Sequence, residues 1–142
     1  MVPLLHAADV SLHEALWRLG KVARALPDLT IVAIEPFFTH DGMNHCSFIA
    51  DVAPNVVFET ASCFDTDMLL GFIARFGAER VIFGSQYYSR IVPPGQTSAH
   101  QRRCLALLRD LLDAPSLTER DKARILGANA RTVLGMPSAA SF

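Results

Sequence analysis

PNVVFETASCFD, residues Pro54–Asp65, contains the run Val56–Glu59 (VVFE), whose apolar residues are continuous rather than alternating. A strand with one face in water alternates apolar and polar residues. A strand covered on both faces, as in a parallel sheet, does not need to. Two further runs have the same short, β-branched or aromatic character: Thr30–Ile34 (TIVAI) and Val81–Phe83 (VIF). A fourth candidate is Val2–His6 (VPLLH), whose proline is tolerated in a strand's first residues or on an edge.

Helical spacing fills the intervals between these runs. Leu12, Ala15, Leu16, Leu19, Val22, Ala23 and Leu26 form one stripe, with Ser11 and Glu14 in capping-box positions and Pro27-Asp28 as its end. A short helix is expected over 48–53. Asp65 or Thr66 can cap a helix carrying Leu69, Leu70, Ile73 and Phe76, with Gly77 as its stop. Cys104, Leu105, Leu108, Leu111 and Leu112 form another stripe. Thr118 with Asp121 opens a fifth helix, and Asn129 is expected to cap a last one ending at Gly135. Strands alternating with helices predict an α/β fold with a parallel sheet. Residues 1–136 read as one domain, and 137–142 as a disordered tail.

Composition bounds the function. The 142 residues carry 13 Lys and Arg against 14 Asp and Glu, a net charge of −1. No basic field is available to recruit nucleic acid or an anionic membrane. The chain is 51% hydrophobic, with a mean hydropathy of +0.27, which suggests tight packing or apolar surface held for a partner. No apolar stretch reaches membrane-spanning length, and MVPLLHAADV lacks a basic leader region. Cys46, Cys63 and Cys104 are widely spaced and odd in number. They read as free thiols in a reducing cytoplasm rather than as a disulfide or zinc framework.

Three segments go beyond fold class: Pro54–Asp65, then RFGAERVIFGSQYY (Arg75–Tyr88), then LTERDKARILGANARTVLGM (Leu117–Met136). In order and spacing they resemble the end of the amidohydrolase-related family. That family includes aminocarboxymuconate-semialdehyde decarboxylase-like and other metal-dependent hydrolases and decarboxylases. The resemblance implies that the four strands are the last four of a (β/α)₈ barrel, which needs roughly 250 residues in full. It implies a divalent metal, zinc first among the choices, and hydrolysis of a C–N or C–O bond, or decarboxylation of a small carboxylic acid. The family's H-x-H pair belongs to the first half, and no H-x-H occurs here.

Site residues follow from strand ends, where the chemistry of such barrels sits. The resemblance places a metal-binding histidine at His6. On the second strand the matching position falls at Ile34 or Glu35, and neither is histidine. Glu35 could bind a hard metal weakly or act as general base, against the more ordinary role of a solvated loop carboxylate. Gln86 stands where the family carries its metal-binding aspartate, and a neutral amide cannot take a proton at pH 7. That substitution favours impaired activity, or a catalytically inactive structural or ligand-binding subunit. Glu59, Tyr87 and Arg90 are candidate binding residues at the barrel mouth, with Arg102 and Arg103 as further cations for an anionic substrate. In the segment Pro36–Cys46, a replacement site of Glu35, His40 and His45 competes with the plainer expectation of a flexible loop. Cys63 has no evident base, and Gly84-Ser85 reads as close-packed backbone. Four strands leave two open edges, so the expected partner is a second copy or a separate N-terminal half-barrel.

Overall fold

The computed structural model describes residues 1–85 and 98–137. Gln86, Tyr87, Arg90 and the tail beyond Pro137 lie outside the described residues. Four parallel strands stand in sequence order: β1 (Leu4–His6), β2 (Ile31–Ile34), β3 (Val56–Glu59) and β4 (Val81–Ile82). The helices α1 (Leu16–Ala25), α2 (His40–Val52) and α3 (Thr66–Phe76) connect them, and a 3₁₀ turn (Ala78–Arg80) leads into β4. Then follow α4 (Ala99–Asp113), α5 (Glu119–Ala123), a π turn (Arg124–Ala128) and α6 (Asn129–Val133). This is the architecture of half a (β/α)₈ barrel.

Alternation along the strands separates two faces. Ile31, Ala33, Val56, Phe58 and Val81 pack against the helices with Leu16, Leu19, Ile49, Leu69 and Phe72. Phe37, Phe58 and Phe72 meet edge-on or tilted, with centroids 5.1–6.1 Å apart. On the opposite face, Val32, Val57 and Ile82 are buried beneath Ala130 and Val133 of α6. From β2 to β4 the sheet is therefore covered on both sides, which is why those runs carry no polar alternation, while β1 stays exposed. By the same alternation His6, Ile34 and Glu59 belong to this second, inner face, one step nearer the C-terminal ends.

Several sequence expectations need correction. The first helix does not start in a capping box: α1 begins at Leu16 behind Ala15, with no side-chain cap. Residues 11–14 instead form a turn in which Glu14 N donates to Ser11 O at 3.1 Å. Its far end is closed by Asn55, whose side-chain amide donates to the carbonyls of Ala23, Leu26 and Leu29 at 2.9–3.0 Å. The expected loop Pro36–Cys46 is mostly helix, because Thr39 caps α2 by accepting from Gly42 N at 2.9 Å. In α4 the buried stripe runs through Cys104, Leu107 and Leu111, leaving Leu105 and Leu112 exposed. Asn129 does not cap α6; it has helical backbone and a buried side chain. That side chain donates to Ala78 O at 2.7 Å and Val81 O at 2.8 Å, pinning α6 to the base of β4.

Candidate functional site

Three successive strands deliver polar side chains to one place. His6 is the last residue of β1, Glu35 follows β2 and Glu59 ends β3. Parallel pairing sets His6 beside Ile34 and Glu59 beside Ile82, so the three share the C-terminal rim of the sheet. His6 Nε2 lies 3.5 Å from Glu35 Oε2, and its Nδ1 lies 3.4 Å from Glu14 Oε1. The imidazole thus stands between two carboxylates. Its own side chain is 44% exposed, whereas that of Glu35 is 7% exposed.

Glu35 is not the solvated loop carboxylate that exposure statistics favour. It leaves β2 with φ 58°, a left-handed turn that L-residues rarely adopt, and its amide donates to Glu59 Oε2 at 3.1 Å. The turn carries the side chain inward toward His6. Its second oxygen, Oε1, is buried without a hydrogen-bond partner among the described residues, as is Glu14 Oε2.

Glu59 spends both its oxygens on backbone. Besides the Glu35 amide, its Oε1 accepts from Ala61 N at 2.9 Å. Burial raises its pKa from 4.5 to about 7; the charge of Glu35 pushes the same way, and the two N–H donors and His6 oppose it. Gly84, at the end of β4, lies against this carboxylate so closely that a Cβ there would overlap its oxygen. The expectation of close-packed backbone at Gly84 is met.

The remaining candidates disperse. His45 pairs with Asp9 at 2.7 Å, and His40 with Asn44 at 3.3 Å, so neither joins Glu35 in a replacement centre. Burial pushes the Cys63 thiol up to about 11 and the Cys46 thiol well above its ordinary value, which leaves both inert as nucleophiles. Arg103 lines a separate cleft of about 550 Å³ between the start of α3 and α4, with Phe38, Phe64 and Asp110. Glu14 escaped the sequence reading, where it served only as a helix cap. No local signal marks it, since its contact with His6 depends on the turn that precedes α1.

The donor chemistry fits a divalent metal in part. His6 Nε2 and a Glu35 oxygen are spaced like two ligands of one ion, and Glu14 at Nδ1 supplies the carboxylate that often orients a ligating imidazole. Among the described residues no group of three or more His, Cys, Asp or Glu comes together to hold an ion, so a closed shell needs further donors. Among known families, the model described as Amidohydrolase matches residues 5–136. No curated protein matches the chain.

Proposed function

As the chain belongs to the amidohydrolase family, we propose that the C-terminal rim of its sheet is a small-molecule site of the metal-dependent hydrolase or decarboxylase type. The observation that carries this reading is the contact of His6 with the buried Glu35 across adjacent strands, 3.5 Å apart. Family members typically use divalent metals. A bound ion, held by His6 and Glu35 with zinc the first choice, would polarise the substrate and lower the pKa of water.

The chain's own residues then have distinct tasks. Glu14 fixes the His6 ring at Nδ1, which leaves Nε2 turned to Glu35. Glu35 brings an unpartnered oxygen able to accept a proton from water or substrate. Arg90 and Tyr87 are assigned to a small carboxylic-acid ligand, and Gln86 marks the place of the family's aspartate. An amide there does not take protons, so Glu35 is the base in this reading. The aminocarboxymuconate-semialdehyde decarboxylase-like branch is the finer assignment. Closure of the rim calls for four complementary strands, from a second copy or a separate N-terminal half-barrel.

A second reading draws on Gln86: a catalytically inactive subunit that works by association or ligand binding. One experiment separates the two. The purified protein is assayed for metal content, then for turnover of small amides, esters and carboxylic acids with zinc or manganese supplied. Stoichiometric metal and turnover, both lost in His6→Ala, support the enzyme. Turnover unaltered by His6→Ala, or none at all in a metal-free stable oligomer, sinks it in favour of the subunit.

A further inference from the structure

We propose that Glu59 is a positioning residue: its carboxylate holds the backbone of Glu35 and thereby the contact between Glu35 and His6. The inference rests on the reading of His6 and Glu35 as the working pair. It departs from the expectation that Glu59 itself binds ligand.

Glu35 and Ser62 both have left-handed backbone, φ 58° and φ 60°, with no glycine at either position. Such conformations persist only where surrounding contacts impose them. Glu59 lies between the two turns. It accepts from the Glu35 amide with one oxygen and from the Ala61 amide with the other. It is 7% exposed, and a buried carboxylate is retained only where donors meet it. The third turn is bound in as well: Gly84 offers no side chain, so its backbone closes on the carboxylate, while Gly84 N donates to Thr60 Oγ1 at 3.2 Å. One side chain therefore ties together the turns that follow β2, β3 and β4.

The test is amide hydrogen exchange of the full chain, read residue by residue by NMR. In Glu59→Gln one of the two amides must face a side-chain N–H₂ instead of an acceptor. That amide, of Glu35 or of Ala61, should exchange about tenfold faster, the worth of one hydrogen bond. Val57 and Phe58, in the body of β3, should keep their protection. Gly84→Ala gives an independent variant, displacing the carboxylate while keeping its charge, and should expose the same two amides. Unchanged exchange at Glu35 and Ala61 in both variants would overturn the proposal. A manganese titration adds the link to the site: broadening of the His6 ring signals should need about tenfold more metal in Glu59→Gln than in the wild type. Equal broadening in the two proteins would count against positioning. Absence of broadening in the wild type would instead defeat the metal reading, with the amide exchange still deciding the role of Glu59.

Discussion

A carboxylate withdrawn from water must find donors or take up a proton, and the inner face holds two that do so differently. Glu59 finds two amides yet is still raised to about 7 by burial, while Glu35 has His6 on one oxygen and, among the described residues, no partner on the other. For Glu59 the folded chain binds the proton more tightly than the unfolded chain. Its contribution to stability is thus full below about 4.5 and is lost as pH rises through about 7. Between pH 8 and pH 5 this group should add on the order of a few kcal/mol, and Glu59→Gln should flatten that part of the profile. Thermal melts of both proteins across the range check this. A steeper rise with falling pH in the variant would reject it. At His6, Glu14→Gln should weaken divalent-metal affinity roughly 10- to 100-fold without removing it, as loss of an orienting partner does. Calorimetry of zinc binding reads the effect. The family resemblance marked His6, Glu35 and Glu59 at or just past the ends of strands. It could not reveal that backbone claims both oxygens of Glu59, which depends on how three turns meet.

At the scale of elements, legibility followed how local the cause was. β3 was read to the residue, because a parallel strand writes its burial into consecutive side chains. Of the two caps offered for α3, Asp65 and Thr66, Asp65 is the one used, and α5 opens at Thr118 with Asp121 as read from side chains three residues apart. α2 was missed over most of its length: His40, Asp41, Gly42 and Asn44 are poor helix formers, and packing of Met43, Cys46 and Ile49 overrides them. Asn129 was misassigned because its carbonyl acceptors lie about fifty residues away in sequence. Asn129→Ala leaves those two buried carbonyls short of a donor and should cost about 1–3 kcal/mol in urea unfolding. Thr39→Ala should cost about 1 kcal/mol by removing the α2 cap. A loss at Asn129 no greater than at an exposed α6 position would argue against its pinning role.

For the whole molecule, assembly turns on the edges of the sheet. β1 is an edge strand, and Leu4 on its inner face is 58% exposed. At the other edge Phe83 N already donates to Ile125 O of the π turn at 2.8 Å, so the two edges differ in how freely they can accept a strand. On the partner proposal, the protein should sediment at micromolar concentration as a dimer or a heterocomplex, and a charge at Leu4 (Leu4→Lys) should shift it toward monomer. A wild-type monomer throughout would refute it. The order of the strands has a bearing on biosynthesis. Each strand pairs with the one made just before it, from β1 to β4, and no later segment must be threaded between earlier ones. On a ribosome, every new strand would meet its neighbour already in place. Each pairing spans a single helical crossover, the least sequence separation that a parallel sheet of this kind allows. The docking of α6 through Asn129 follows all four strands, so the inner face over Val32, Val57 and Ile82 is covered only after the sheet is complete.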